Sequence, residues 1–182
     1  MKRREGEREK ELRKVRSDKK KQLRPWLPGT LLAEMKSLKK FLNEPSLAAT
    51  LESVLNKTLI NRTFIDYVKP SMYRSISLPI SSDGAYRFTL IANQNIECMA
   101  DELYKRIKEG ITKRSSFFVT KDVAENYIHP LTSGLNISAD GLATIALDYA
   151  VTCLLPSIAP GYKNKYHGPS SNEPDRKTSG SA

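Results

Sequence analysis

The side chains most often used for metal binding and acid–base catalysis are scarce in this 182-residue sequence. Its two histidines are His129 and His167, and its two cysteines are Cys98 and Cys153. Four such residues, widely spaced, do not make the clustered ligand set that a zinc site needs. Both cysteines lie in apolar patterns, which fits a reducing compartment rather than a disulfide scaffold. We therefore expect no metal ion and no other cofactor.

The carboxylates that come closest to a catalytic pair are Glu97, Asp101 and Glu102, which fall on one predicted helix. Paired acids can act as general acid and general base, but they need a nearby partner base or a metal ion. Neither accompanies them, so a solvated helix face is the simpler interpretation. The sequence also lacks a glycine-rich phosphate loop and a nucleophile elbow. It therefore predicts no catalytic residues and no enzyme activity.

Basic residues give a stronger chemical signal. The chain has thirty lysines and arginines against twenty acidic residues, for a net charge of +10. Twelve of the basic and five of the acidic residues fall in residues 1–24, a segment with too few apolar side chains to fold by itself. Such an arm usually binds a polyanion, either nucleic acid or an anionic membrane, and a solubilising tail is the alternative. We expect a disordered tail at residues 1–24 and a flexible Gly-, Pro- and Ser-containing tail at residues 157–182.

A second basic group, at residues 113–116, precedes a short predicted helix. Thr120 caps this helix, which ends before Pro130. Between the group and this helix, the apolar run Phe117 to Val119 favours an extended segment. Basic side chains and the amides of a helix N-terminus both favour phosphate. Alternatively, the cations interact with the end of the preceding helix, and Arg114 pairs with Asp122 as a structural clip. The predicted phosphate-binding group is Lys113, Arg114, Ser115 and Ser116.

No uninterrupted apolar run in the sequence approaches the length of a membrane span. The longest runs, Phe117 to Val119 and Val151 to Leu155, cover only a few residues, whereas a transmembrane helix needs about 20. The basic N-terminus is not followed by an apolar stretch, so it does not resemble a secretory signal. We therefore expect no membrane partner.

The body of the chain between the tails predicts mainly helices. Thr30, Ser46 and Ser138 are candidate N-caps because each precedes a run of apolar residues at helical spacing. Residues 25–60 are predicted to form an N-terminal helical extension. Residues 61–156 are predicted to form the main domain with an additional helix at its end.

The longest apolar periodicity predicts one amphipathic helix from about Ala85 to Thr112. At 1.5 Å per residue this helix would be about 42 Å long, so it needs a partner helix or several shorter ones along its length. Its apolar stripe is the expected core or dimer interface. The stripe consists of Phe88, Ala92, Ile96, Met99, Leu103 and Ile107.

The order of these elements resembles the core histone family: short helix, loop, long helix, basic loop, short helix and a further helix. The stretch from Lys113 to Val123 is similar to the second histone loop and the start of the third helix. Ile80, Ser81 and Ser82 are similar to the first loop. The resemblance implies an all-α histone fold with an extra C-terminal helix and N-terminal helices. In that fold the long helix crosses its counterpart in a handshake dimer.

Two core histones share features with the chain. The segment from Thr63 to Leu155 is similar to histone two B, including Ala139-Asp140-Gly141 near the start of the additional helix. The segment from Arg24 to Thr30 and the run Tyr86-Arg87-Phe88 are similar to histone three. Histone two B needs the smaller adjustments in alignment and is preferred. The divergence favours a viral or protist histone over an animal or plant one.

The resemblance implies a protein that packages double-stranded DNA into nucleosome-like octamers through sequence-independent phosphate contacts. Its partner would be a histone of the two-A type, or histone four in the histone-three role, in the nucleus or in a virion. Arg87 is the candidate minor-groove arginine, although a solvated helix position is an equal alternative. The predicted DNA contacts are Ile80, Ser81, Ser82, Arg87, Lys113, Arg114, Ser115, Ser116, Arg62, Arg24 and Thr30.

Two other function classes remain open. One is a non-histone viral nucleoprotein that binds nucleic acid through its basic arm and associates with itself. The other is a histone-fold subunit of a transcription or replication complex, which would bind DNA weakly and depend on its partner. The three interpretations differ in the partner they require.

Overall fold

The structure is a computed structural model that describes residues 20–79, 87–92, 104–107 and 112–163. The strands are β1 Lys20–Leu23, β2 Trp26–Pro28, β3 Ile76–Pro79, β4 Arg87–Leu90, β5 Thr112–Arg114 and β6 Phe117–Thr120. The α-helices are α1 Gly29–Phe41, α2 Leu47–Leu59, α3 Arg62–Val68, α4 Lys121–Val123, α5 His129–Leu135, α6 Ala139–Tyr149 and α7 Leu155–Ile158. A 3₁₀ turn covers Lys69–Ser71, and π turns at Ala124–Ile128 and Ala150–Leu154 join α4 to α5 and α6 to α7. Residues 104–107 form one further helical turn.

The predicted all-α histone fold is wrong, because the described chain mixes helices with short antiparallel strand pairs. The pairs are β1 with β6, β2 with β5, and β3 with β4. The predicted long helix from Ala85 to Thr112 is interrupted by strands at both ends, Arg87–Leu90 and Thr112–Arg114. Residues 104–107 are helical as predicted, whereas residues 93–103 lie outside the described chain. The histone handshake needs this helix to be continuous.

The sequence around Phe88 explains why Arg87–Leu90 forms a strand instead of the start of the predicted helix. The spacing of Phe88 and Ala92 fits a helix, but Phe88 and Leu90 also alternate with the polar residues Arg87 and Thr89. In the structure Leu90 is buried, Phe88 is half-buried, and Arg87 and Thr89 are exposed. This period of two is the pattern of a strand with one face on the core.

The N-terminal arm is ordered further back than its composition predicts. Residues 20–24, expected within a disordered tail, include strand β1, and Leu23 is 1% exposed. Lys20 lies opposite Thr120 and Pro28 lies opposite Thr112, so the register is the same along both strand pairs. We call this continuous two-stranded element, residues 20–28 with residues 112–120, the ribbon.

Local capping chemistry explains three of the helix starts. The side chains of Ser46, Thr120 and Ser138 each accept a hydrogen bond from a backbone N–H in the first turn, as the sequence predicts. Thr30 is not an N-cap. Helix α1 begins at Gly29, two residues before the start that a Thr30 cap predicts. It follows Pro28 with no capping side chain, and Thr30 lies exposed in its first turn.

The predicted helix break before Pro130 is also wrong. The chain remains helical from residue 121 to Leu135, because the π turn Ala124–Ile128 widens the helix just before the proline. A wider turn relieves the clash between a proline ring and the preceding carbonyls. The helix ends instead at Asn136, whose φ of 55° is left-handed. His129 is therefore helical.

One hydrophobic core joins the predicted N-terminal extension to the rest of the chain. Leu27 and Leu51 belong to it together with Phe64, Ile145 and Val151. Counted through its π turn, the helix Ala139–Ile158 is long and apolar enough to span a membrane by length and composition alone. This helix contains no long uninterrupted apolar run, because polar residues separate its apolar ones, and the sequence therefore did not indicate it. In the structure, 72% of the helix's apolar window is buried, as in a core helix.

Gly134 allows α5 to approach the start of β3. Its carbonyl accepts hydrogen bonds from the backbone N–H groups of Tyr73, at 2.7 Å, and Arg74, at 3.3 Å. A Cβ atom at residue 134 would lie 2.8 Å from Cγ2 of Ile76. The absence of a side chain at this position therefore lets the helix and the strand meet closely.

Candidate nucleic-acid interface

The ribbon lies on the body of the protein with one face inward. Leu23, Leu27, Phe117 and Val119 are all at most 1% exposed and fix that inner face. They pack against α2 and α6. Since side chains alternate along a strand, the positions between these residues point away from the body.

The outward positions form what we call the outer face. Gln22 lies opposite Phe118, Trp26 lies opposite Arg114, and the side-chain amide of Gln22 donates to Oγ of Ser116 at 2.8 Å. Going along the ribbon, polar or cationic pairs alternate with pairs that contain an aromatic ring. The outer face consists of Lys20, Gln22, Arg24, Trp26, Arg114, Ser116, Phe118 and Thr120.

The charge of the ribbon has one sign. Its two segments contain five basic residues and no aspartate or glutamate. Lys21 is half-buried, and the other four basic residues are exposed. Nζ of Lys20 lies 3.6 Å from Oε1 of Glu52 in α2, in a partly exposed ion pair. The basic residues are Lys20, Lys21, Arg24, Lys113 and Arg114.

The two arginines of the outer face are oriented by neighbours within the ribbon. Arg24 donates from its guanidinium to Oε1 of Gln22 at 2.8 Å. Cζ of Arg114 lies 5.6 Å from the centre of the Trp26 ring, within cation–π range. Both groups remain exposed, so they keep donors available for an anion.

Hydrogen bonds to the body fix the ribbon in place. The backbone N–H of Arg24 donates to Oδ1 of Asp140 at 2.7 Å, and Oγ1 of Thr144 donates to the Trp26 carbonyl at 3.2 Å. Nζ of Lys21 lies 2.8 Å from Nε2 of His129, a contact in which the ammonium donates. The arrangement therefore combines a rigid base with an open, cationic outer face.

The structure groups some of the predicted DNA contacts and separates others. Arg24, Arg114 and Ser116 meet on the outer face, and Lys113 lies at its edge opposite Leu27. Ser115 is half-buried and donates its backbone N–H to the Pro25 carbonyl. Lys113 and Arg114 lie on strand β5, whereas Ser115 and Ser116 lie between β5 and β6. Ile80, Ser81 and Ser82 lie outside the described residues.

Arg62 and Arg87 belong to a different part of the surface. Arg62 pairs with Asp66 at 3.2 Å and lies over the Phe88 ring at 5.2 Å. Nη2 of Arg87 reaches the Ser77 carbonyl at 3.5 Å across the β3–β4 pair. They are not on the ribbon. Arg87 begins strand β4, so its alternative place on a helix is wrong.

The predicted clip between Arg114 and Asp122 is wrong. Arg114 turns to Trp26, and Asp122 accepts instead from Nδ2 of Asn126 at 2.7 Å. The clip assumed a loop at residue 114, but strand β5 carries the Arg114 side chain to the outer face.

The predicted interface stripe is only partly described. Ile107 is 2% exposed and belongs to the core, and the partly buried Phe88 of strand β4 packs against that core. Ala92 lies just past that strand and donates its N–H to Oγ of Ser75 at 3.0 Å. A single helical stripe is therefore wrong for Phe88 and Ala92. Ile96, Met99 and Leu103 lie outside the described residues.

Five outer-face residues were not among the predicted contacts, namely Lys20, Gln22, Trp26, Phe118 and Thr120. The available signal is the alternation in residues 22–27 and 116–120, where apolar positions alternate with basic, polar or aromatic ones. That alternation predicts two strands with one buried face. The assignment of residues 1–24 to a tail concealed it in the first segment.

Other chemistry is sparse in the described part of the chain. No group of three or more His, Cys, Asp or Glu side chains there could hold a metal ion. Burial, and then the nearby charge of Asp148, raise the pKa of the Cys153 thiol, which makes it a poor nucleophile at neutral pH. An apolar cavity of about 240 Å³ lies between β3, β4 and Tyr127 and is lined by no ribbon residue.

Comparisons of the chain with models of protein families, with curated proteins and with solved structures found no match. The interface is therefore interpreted from its own residues. Its distinguishing features are a fixed backbone, a charge of one sign and aromatic rings among the cations.

Proposed function

We propose that the protein binds nucleic acid without sequence specificity, through phosphate contacts made by the outer face of the ribbon and by Lys113 at its edge. The observation that carries the proposal is the absence of carboxylates from eighteen ribbon residues that include five cations. Exposed cations of this kind release counterions when they meet phosphates, which drives sequence-independent binding. Arginine adds two-pronged hydrogen bonding to phosphate oxygens.

The existing contacts of the cations oppose this function only weakly. The ion pair of Lys20 with Glu52 is long, and Lys20 is half exposed; long pairs open to solvent contribute little to stability. The Arg24 guanidinium is held by a neutral amide. Phosphate can therefore compete for both residues at small cost.

The sequence before the ribbon supports the same function. Residues 1–19 contain nine basic and five acidic side chains and run directly into Lys20. A net positive segment at one end of a cationic surface extends the attraction for a polyanion. The proposal therefore assigns the arm and the ribbon to one ligand.

The histone role does not carry over to this proposal. Pairing with a two-A-type histone or with histone four depends on the handshake helix, which is interrupted by β4 and β5. What remains from the sequence interpretation is binding to phosphates by a non-histone nucleoprotein. Such a protein needs no histone partner.

The test is fluorescence anisotropy with labelled nucleic acid over a range of salt concentrations. We expect Lys113→Gln/Arg114→Gln to weaken binding about tenfold near 0.1 M salt and to reduce the salt slope by about 1.5, for two lost phosphate contacts. Lys36→Gln/Lys40→Gln is the control, because it removes the same charge from exposed positions of α1. Equal losses in both variants would contradict the ribbon as the binding surface.

Anionic vesicles test the alternative ligand of a basic surface, which is a membrane. We expect the full chain to bind oligonucleotides at least tenfold more tightly than phosphatidylserine vesicles of matched charge concentration. Preferential binding to vesicles, lost in Lys113→Gln/Arg114→Gln, would replace the proposed function with a membrane-surface role.

A further inference from the structure

We infer that the ligand is single-stranded nucleic acid, with unpaired bases stacked on Phe118 and Trp26. This inference rests on the proposed function and adds the substrate class to it. It comes from the positions of the aromatic rings rather than from the charge.

The two rings share the outer face with the cations. Phe118 is opposite Gln22, and Trp26 is four residues further along the same strand as Gln22. At about 3.3 Å per residue the two aromatic positions are roughly 13 Å apart. Arg24 projects between them. An extended single strand of nucleic acid lying along the ribbon would therefore meet an aromatic ring, a cation and a second aromatic ring in turn.

Phe118 is the less expected of the two rings on a surface. Its side chain is 47% exposed, while its strand neighbours Phe117 and Val119 are at most 1% exposed. The fold therefore buries two apolar residues of this strand and leaves the third in solvent among cations. Nucleic-acid surfaces use such rings as platforms for bases.

Trp26 is half-buried, and its backbone is fixed by the bond from Thr144. The Arg114 guanidinium lies over its ring. A planar guanidinium on an indole continues the stack and still directs N–H donors at a phosphate. Trp26 and Arg114 together thus offer a site for one nucleotide, with an apolar ring and a cation.

Duplex nucleic acid cannot use these rings in the same way. Its bases are already stacked on each other and present only their edges in the grooves. Unpaired bases can be splayed apart and offer whole faces, and every base has such a face, so stacking tolerates any sequence. The combination of rings and cations therefore favours a single strand over a duplex.

The experiment uses the intrinsic fluorescence of the full chain. Trp26 is the single tryptophan of the sequence, so tryptophan emission reports directly on this site. We expect an oligothymidylate to quench the emission and to bind about tenfold more tightly than a duplex of equal length at the same salt. The duplex should leave the emission nearly unchanged.

A second set of measurements tests Phe118. Phe118→Leu keeps an apolar side chain but loses the ring, and we expect it to weaken oligothymidylate binding about tenfold and duplex binding less than twofold. Phe118→Tyr should restore the affinity. Phe41→Ala is the control, because Phe41 is a phenylalanine of nearly equal exposure, 49%, at the far end of α1. It should change neither affinity.

The outcomes separate the inference from the proposed function. Equal affinities for single strand and duplex, unaffected by Phe118→Leu, would overturn the inference and leave phosphate binding intact. No salt-dependent binding to either nucleic acid would overturn both. Quenching by oligothymidylate that Phe118→Leu weakens and Phe118→Tyr restores would support both.

Discussion

The ribbon and the β3–β4 pair are both short antiparallel elements with exposed arginines, yet their surfaces differ. On the ribbon, Arg24 and Arg114 are held by an amide and an indole. Next to the β3–β4 pair, Arg62 has a carboxylate neighbour, Asp66, at 3.2 Å and lies over the Phe88 ring. Exposure alone therefore does not set the charge around an arginine. The guanidinium groups of the ribbon have neutral neighbours, whereas that of Arg62 has a carboxylate beside it.

The largest expected difference comes from reversing charge in each region. Arg24→Glu/Arg114→Glu should weaken nucleic-acid binding more than about 100-fold, because two phosphate contacts become repulsive. Arg62→Glu/Arg87→Glu changes the net charge equally and should weaken binding less than about threefold. Anisotropy titrations of both variants at one salt concentration make the comparison. Similar losses would show that total charge, rather than the ribbon, controls binding.

A smaller effect tests how the ribbon is fixed to the body. Asp140→Ala removes the acceptor for the Arg24 N–H and should lower the free energy of unfolding by about 1–2 kcal/mol. Asp122→Ala also removes an acidic residue from a first helical turn, but its partner is only the exposed Asn126 side chain. We expect this control variant to lower the free energy of unfolding by less than about 0.5 kcal/mol. Urea unfolding of both variants gives the two values, and a reversed order would contradict this anchor.

The smallest expected effect is a loss of stability at alkaline pH, and it should come from residues of the body and not from the ribbon. Burial, and then the charge of Asp148, raise the pKa of Tyr67 to about 12. Burial and the hydrogen bond to Glu34 raise the pKa of Tyr162 to about 12. The unfolded chain ionises its tyrosines near pH 10, so the stability that these groups supply is complete below pH 10. It is lost as the pH rises towards 12.

The ribbon contains no tyrosine, so its surface lacks this response. Ultraviolet absorbance at rising pH should show at least two of the eight tyrosines ionising late. Tyr67→Phe and Tyr162→Phe should each remove one late-ionising group. Ionisation of all tyrosines in a single step near pH 10, with the fold intact, would contradict the burial of Tyr67.

The sequence predicts features that depend on a few adjacent residues and misses those that depend on distant ones. Ser46, Thr120 and Ser138 act as caps because a hydroxyl and an N–H within three residues suffice. The strand at Phe117–Thr120 is also predicted correctly as extended. By contrast, nothing near Lys20 in the chain indicates that it pairs with Thr120. That pairing depends on a shared core, which no local pattern encodes.

The candidate site also combines features that adjacent residues indicate with features that depend on distant residues. Arg24, Lys113 and Arg114 are identifiable from charge, but the sequence assigns them to a tail and a loop. Only the register of the ribbon brings Arg114 onto Trp26 and leaves Phe118 outward. Tertiary packing also overrides the helical spacing of Phe88 and Ala92, because Leu90 is the residue that the core receives.

The ribbon also has a consequence for the order of events during folding. Gln22 and Ser116, which bond across it, are 94 positions apart. During synthesis the first strand therefore leaves the ribosome long before its partner exists. Closing so large a loop costs entropy that only the finished core can offset, and such non-local pairings form slowly. We expect the basic segment to remain exposed on the nascent chain, and the ribbon to be among the last elements to form.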